Sequence, residues 1–561
     1  MTYDPSPRYP VVGGVVDVGY GPLAGELAAT RPVVVAIDGP AALSWEVFVP
    51  GLVQALTAAG VSSEQLDVRD SFAPWGEIER RTEAATIPGD PVFGRVFEGP
   101  LESLFGELPL RPAPRADVGL VFGPGSALVP HDVLWHADVP KPAQLAAIRE
   151  GTAANLGGRP GATGSEQRLL FVDWPVLDRH QRWLVSRLDR YVDVSDPAEP
   201  RSLTGAALRD SLAALAAAPF RPRPTFLPGP WGGQWLRRTL GIATEASNLA
   251  WSYELIAPEA GVLLGGERPV EVGFELLLAV AGRPLLGEEV SERFGGTFPI
   301  RFDYLDTLEG GHLSIQCHPS DEYMRTTFGW PYTQHETYYV MVTTPGAKVF
   351  LGLREDADLE AFRAEAARAE RPGVAFEPER YLQAHAAEQH RLYLIPGGTP
   401  HASGAGNVVL EISATPYLYT LRFYDWLRES LDGRLRPVHL RHAFANLDPS
   451  RRGDAVRREL VQEPRVHRAG PDWAELVLGA LPELFFAVHR LDFEDEVVDD
   501  TAGRFHVLNL VAGERVVVEA EGGAAHELAY AETIVVPAAT GRYRLRRLVG
   551  PAPKVVKAFV R

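Results

Sequence analysis

Leu313–Pro319 reads LSIQCHP. As a strand, this stretch turns alternate side chains to opposite faces. Ser314, Gln316 and His318 then share one face, and Leu313, Ile315 and Cys317 share the other, apolar one. Gln316 and His318 reach into one cavity, while Cys317 packs in a core, where a free thiol behaves as a small hydrophobe. Further along, Tyr332–Tyr339 reads YTQHETYY and sets Glu336 ahead of a strand over Tyr338–Thr343. Leu392–Ala402, LYLIPGGTPHA, runs a strand into a Pro396–Gly398 turn that aims His401 back toward a barrel mouth. Val408–Ser413 forms another strand.

Gln316, His318, Glu336 and His401 offer two imidazole nitrogens and two oxygens. That mixed donor set suits one Zn2+ ion per chain, and Mn, Fe or Co also fit it. Any one of the four has an ordinary structural explanation, but together they are far more specific.

Outward from this site, Trp231–Arg441 is mostly short strands with Gly and Pro turns, the pattern of an all-β barrel. A charge-rich helical insertion interrupts it at Glu355–Ala369, within about 355–391. Asp472–Arg561 returns to strands at Leu484–Arg490, His506–Leu510, Arg515–Glu519, Thr533–Pro537 and Val555–Val560, a second and smaller barrel. Upstream, Tyr9–Ala218 alternates strands and helices: Pro32–Ile37 with Trp45–Ala59, then strands at Val118–Phe122 and Leu169–Val172, and a helix at Leu203–Ala218. That alternation predicts a parallel α/β layer. The proline-dense stretch PFRPRPTFLPGPWGG, Pro219–Gly233, marks the boundary. The expected organisation is multidomain, with an α/β domain over 1–218, a metal-binding β domain over 219–441 and a metal-free β-barrel over 442–561.

The 561 residues carry a formal net charge of -18, which disfavours nucleic acid because phosphate backbones need basic patches. Any anionic ligand must be met by local arginines or lysines. The start of the chain lacks a basic, apolar leader, and no apolar run reaches the roughly 18 residues of a membrane span. With one cysteine there is no internal disulfide. The expectation is a soluble cytoplasmic protein that binds neither nucleic acid nor membrane.

Gln-x-His-Pro, a Glu before an aromatic strand, Pro-Gly-x-x-x-His and the Arg-x-x-Asp-Trp of Leu421–Arg428 (LRFYDWLR) resemble the class I mannose-6-phosphate isomerases. WGG at Trp231–Gly233, PGAKVFLGL at Pro345–Leu353 and EIS at Glu411–Ser413 add to the resemblance, which covers about 228–561. It implies cupin barrels, zinc ligands at Gln316, His318, Glu336 and His401, and an active-site arginine at Arg422. It also implies a small-molecule sugar or sugar-phosphate substrate, with mannose 6-phosphate and fructose 6-phosphate interconverting through an enediol. Two positions depart from the family pattern. Gln334 stands where members carry a lysine, and Leu418 where they carry an aspartate. Moving a proton between adjacent carbons needs a general base, and His335 and Glu411 are the candidates. Two other readings keep the ligands: an iron-dependent cupin oxygenase, and a sugar-binding sensor without turnover.

Val33–Trp45, VVVAIDGPAALSW, resembles the strand and phosphate loop of P-loop kinases of the uridine-kinase type. A working loop needs a second glycine followed by Lys and Ser/Thr. Ser44, Trp45 and Glu46 hold those positions, so a degenerate kinase-like domain is expected. In the second barrel, His506 has no companion at ligand spacing, so a metal-free barrel is expected there.

Overall fold

The computed structural model describes residues 3–110, 115–158, 161–371, 373–430 and 433–561. It divides into two compact units, one of Arg8–Ala216 with Gly261–Gly282 and one of Met1–Pro7, Ala217–Ala260 and Arg283–Arg561. The expected domain 1–218 therefore differs in two ways: its first residues belong to the other unit, and it gains Gly261–Gly282. That added piece carries a hairpin, Gly261–Leu264 with Val270–Gly273, whose first strand pairs in parallel with Arg8–Tyr9. Residues on either side of 441 fall in one unit.

The first unit is built on parallel strands β1 (Val33–Asp38), β2 (Ser63–Asp67), β3 (Val118–Phe122), β4 (Val133–Asp138) and β5 (Arg190–Asp193). They lie in the order β2-β3-β1-β4-β5, and Arg201–Thr204 and Asp17–Val18 extend the sheet antiparallel beyond β5. β1 and β3 are buried throughout, as strands covered on both faces must be. Leu23 and Leu27 of one helix and Phe48 and Leu52 of another pack on Val35, Ile37 and Trp135. The run Leu169–Val172 is helical, not a strand: it lies in a π-turn, Leu169–Asp173, between two α-helical segments. Four consecutive apolar residues suit a buried helix as well as a strand.

In the other unit, the first barrel is made of two sheets. One contains β6 (Trp251–Leu255), β7 (Ile300–Asp306), β9 (Glu336–Thr343), β11 (Leu392–Ile395) and β13 (Asn407–Ala414), in the order β11-β9-β13-β7-β6, with Thr225–Leu227 at the β6 edge. The other contains β8 (Ile315–Cys317), β10 (Lys348–Leu353), β12 (His401–Ser403) and β14 (Leu421–Tyr424), in the order β10-β12-β8-β14, with Leu382–Ala386 beyond β10. The expected insertion contains a helix, Leu359–Arg368, capped by Asp358, whose carboxylate accepts from the Glu360 and Ala361 amides. Several helices went unread in the sequence, among them Phe274–Leu286, Glu288–Phe294, Leu440–Asn446 and Gly453–Leu460. The first is a leucine-rich run that looks equally like a buried strand.

The second barrel pairs a six-stranded sheet with the four strands Glu496–Asp500, Arg542–Val549, Arg515–Ala520 and Ala525–Ala529. Along five strands its inward row changes character within two residues. Leu491, Val497, Leu508, Leu545 and Val555 are apolar core, while His489, Asp499, His506, Tyr543 and Lys557 form a buried polar group with Glu475. Lys557 Nζ lies 2.8 Å from Glu475 Oε1 and 2.6 Å from Asp499 Oδ2. His489 Nδ1 is 2.6 Å from Glu475 Oε1, and the Tyr543 hydroxyl donates to Asp499 at 3.0 Å. His506 therefore does have histidine and carboxylate companions, brought from strands distant in sequence, with an ammonium group among them. Among the described residues, no helix is long and apolar enough to cross a membrane.

Candidate metal centre

His318, Glu336 and His401 are buried, and one ligand atom from each lies within 4.8 Å of the others. Local structure fixes the direction of each imidazole. His401 Nδ1 donates to the Thr399 carbonyl oxygen at 2.9 Å, which leaves Nε2 with its lone pair. His318 Nδ1 faces the Tyr419 carbonyl oxygen at 3.3 Å, and its Nε2 meets Glu336 Oε2. His401 Nε2 stands 3.2 Å from the same oxygen. Burial pushes the His318 imidazole down, toward the neutral form that carries a lone pair.

Glu336 Oε1 and His401 Nε2 are buried without a hydrogen-bond partner. Lone pairs that converge in a buried space call for a cation between them, and backbone carbonyls on the far ring nitrogens are the usual means of orienting metal-ligating histidines. The residues therefore fit a divalent ion. Gln316 stands directly across β8–β12 from His401, so it shares the face, and its Oε1 accepts from Ser314 at 2.7 Å. Cys317 turns the opposite way, its thiol toward the Ala443 carbonyl oxygen.

The three proposed catalytic residues fare differently. Glu411 lies on the same wall as Glu336, but its Oε1 already accepts from Arg301, from Ser413 at 2.9 Å and from Gln334 at 3.3 Å. That is a carboxylate holding a guanidinium in place. His335 faces away from the ligand group: its Nδ1 accepts from the Gly397 amide at 3.2 Å, and its Nε2 is 3.4 Å from Asp321. Arg422 stands across from Gln316, with its guanidinium donating to the Pro437 carbonyl oxygen at 2.9 Å. Burial, with Arg436 adding to it, pushes Arg422 down to about 10. Arg422, Arg428 and Arg436 surround one carboxylate, Asp425, at 4.0, 3.5 and 2.9 Å.

Arg301 and Asp303 on β7 went unread in the sequence. Arg301 is across from Ser413 and Asp303 across from Glu411, so both face the wall that carries Glu336. Burial, reinforced by Glu336 and only partly offset by Arg301, pushes Asp303 up to about 7. The available signal was two opposite charges, two residues apart, inside the apolar strand IRFDYLD.

A mannose-6-phosphate isomerase of Streptococcus mutans is 26% identical over 293 residues, 51% of this chain and 82% of the relative. The isomerase ManA of Bacillus subtilis is 26% identical over 232 residues, 41% of this chain and 68% of the relative. The C-terminal half of the chain is homologous to mannose-6-phosphate isomerases. By structure, the chain aligns with the Bacillus subtilis mannose 6-phosphate isomerase at a TM-score of 0.48 and 19% identity, over 61% of this chain and 99% of that one. A zinc-bound mannose 6-phosphate isomerase aligns at a TM-score of 0.48 and 16% identity, over 62% and 100%. Residues 19–217 match a different family, described as Domain of unknown function (DUF8485).

Proposed function

We propose that the isomerase-related half is a metal-dependent aldose–ketose isomerase acting on a sugar phosphate, with mannose 6-phosphate and fructose 6-phosphate as the first substrates to test. The observation that carries this reading is the convergence of His318, Glu336 and His401, with the far nitrogen of each imidazole facing a backbone carbonyl, in a chain homologous to such isomerases. His318, Glu336 and His401, with Gln316, would hold one Zn2+ ion. When bound, such an ion polarises a carbonyl and stabilises the charge that develops as an enediol forms.

The protein's own groups supply the surroundings. Burial of the ligand group excludes water from the reacting carbons. Three guanidinium groups, that of Arg422 on the strand beside Gln316 among them, surround the single carboxylate of Asp425, and their net positive charge favours a phosphate. The proposal includes a cytoplasmic location, in keeping with a single, buried cysteine.

In the N-terminal unit, Glu46 lies in the first turn of the helix after β1 and pairs with Arg69 at 2.8 Å. A carboxylate thus stands where a phosphate loop has its Ser/Thr hydroxyl, and Trp45 where it has its lysine, in keeping with a kinase-like shell without nucleotide chemistry.

The test is interconversion of mannose 6-phosphate and fructose 6-phosphate by zinc-loaded protein, with unphosphorylated mannose and a chelated control alongside. Metal-dependent turnover supports the reading. Metal bound without turnover of either sugar rejects the isomerase in favour of a sensor.

A further inference from the structure

The N-terminal unit holds a cavity of its own. Strands β1, β2 and β3 are parallel, so the loops that follow them meet at one end of the sheet, where open α/β sheets place their ligands. A cavity of about 350 Å3 lies there, at the lower end of the roughly 300–1,000 Å3 of small-molecule sites. Ala41, Leu43, Val47, Phe72, Pro124 and Ala153 give it small or apolar walls. Phe72 is steadied by stacking on Phe105, with ring centroids 4.2 Å apart. Among the described residues, Glu46 and Arg69 are the charged ones that line it.

Those two groups are mounted differently. Asp67, the last residue of β2, accepts from Arg69 Nε at 3.0 Å and from Nη2 at 2.7 Å. The guanidinium carbon lies 5.9 Å from the centre of the Phe122 ring. A side chain at Gly123, where φ is 111°, would come within 3.1 Å of the Arg69 stem. Arg69 is therefore clamped along one edge. Its Nη1 is left to donate to Glu46 Oε1 at 2.8 Å. The Arg69 side chain is 19% exposed, whereas that of Glu46 is 61% exposed. An ion pair so open to water contributes little and separates readily.

The pair restricts what can enter. An anion alone would take Arg69 but face Glu46, a like charge. A cation alone would take Glu46 but face Arg69. A ligand with both charges exchanges one internal ion pair for two and leaves the charge of the cavity unchanged. An α-amino acid carries its carboxylate and its ammonium on a single carbon, close enough to enter between two groups that now touch. Its side chain then meets the apolar walls.

We propose that this cavity binds an apolar α-amino acid, with the carboxylate on Arg69, the ammonium on Glu46 and the side chain among Leu43, Val47 and Phe72. None of these residues belongs to the isomerase-related half, so turnover there, or its absence, leaves the site as it is.

The test is calorimetry on the full-length protein with L-leucine and two analogues: 4-methylpentanoate, which lacks the amine, and 3-methylbutylamine, which lacks the carboxylate. Leucine is expected to bind at least about tenfold more tightly than either, the scale of one charge-assisted hydrogen bond. Glu46→Gln, at an exposed position, is expected to keep the melting temperature and to weaken leucine binding about tenfold. The same change removes the like charge that opposes an anion, so 4-methylpentanoate is expected to bind more tightly to it than to the parent. A purely structural glutamate would move neither ligand. Arg69→Gln is expected to abolish binding of both. Equal binding of leucine and 4-methylpentanoate by the parent would make the cavity a plain anion site and overturn the amino-acid assignment. So would leucine binding that Glu46→Gln changes by less than about twofold, or no heat from leucine at about 10 mM.

Discussion

His401 and Gln316 face each other across the β8–β12 ladder, with His401 Nδ1 tied to the Thr399 carbonyl oxygen. The geometry leaves His401 Nε2 only the Glu336 carboxylate, 3.2 Å away, itself one of the proposed ligands, so removing the imidazole should cost the ion far more than the fold. His401→Ala and His318→Ala should each bring zinc in dialysed protein from one ion per chain to near zero, measured by atomic emission. Circular dichroism should remain that of the parent. Full occupancy in either variant would show that the ligand set is wrong.

Zinc should also stabilise the folded chain. An ion that binds only the native state adds about 2.7 kcal/mol at a hundred times its Kd. A melting temperature that rises with zinc in the parent, but not in His401→Ala, is the expected outcome of a thermal scan.

Arg422→Ala separates two roles. Asp425 keeps Arg428 and Arg436, so the variant should fold and retain its zinc. If the arginine group receives phosphate, KM for mannose 6-phosphate should rise about tenfold or more, the scale of a charge-assisted hydrogen bond. Unchanged kinetics would remove Arg422 from the site.

Acid should loosen the second barrel. Burial, with Lys557 adding to it, pushes His506 down to about 3, against an ordinary value of 6.5. Below 6.5 the unfolded chain takes up a proton that the folded one refuses, so stability is present above that pH and is lost as pH falls from 6.5 toward 3. The rate of loss is at most about 1.4 kcal/mol per pH unit. Glu475 and Asp499 act in the same direction. Burial alone would raise both, but bonds from His489 and Lys557 to Glu475, and the charge of Lys557 beside Asp499, hold them below the ordinary carboxylate range. Their contribution is present above their unfolded values and goes as pH falls below them. Hydrogen exchange at His506–Ala512 should speed up relative to intrinsic rates between pH 7 and pH 5. Flat protection over that interval would contradict the sign.

Lys557→Met should destabilise the protein by about 1–3 kcal/mol, because Glu475 and Asp499 lose the buried ammonium but keep Arg468. Chemical denaturation at neutral pH would show it, and Glu475→Gln in the same chain should recover part of the loss.

Much of the metal site was legible because its determinants are local. Alternation in LSIQCHP puts Gln316 and His318 on one face, and the Pro396–Gly398 turn precedes His401 in the same short stretch. Arg301 and Asp303 were hidden because their meaning comes from Glu411, more than a hundred residues away and paired with Arg301 only in the folded sheet. Whether Glu411 is a base or a structural carboxylate was open in the sequence for the same reason: the three donors to its Oε1 come from β7, from its own strand and from Gln334. His335 follows from alternation alone, since its neighbour Glu336 takes the inward position. The polar group of the second barrel is drawn from strands spread between Glu475 and Lys557, and no spacing rule joins them. In the N-terminal unit, the fully buried strands read clearly as apolar runs, and so did Leu169–Val172, which is helical.

Lys557 gives the second barrel a cation fixed by a covalent bond, so that cation has no dissociation constant and no dependence on supply. On the reading proposed above, the first barrel's ligand group must instead draw its ion from solution. The two barrels would then differ in what supports them: one carries its positive charge with it at every metal concentration, and the other would fill and empty with the metal supply.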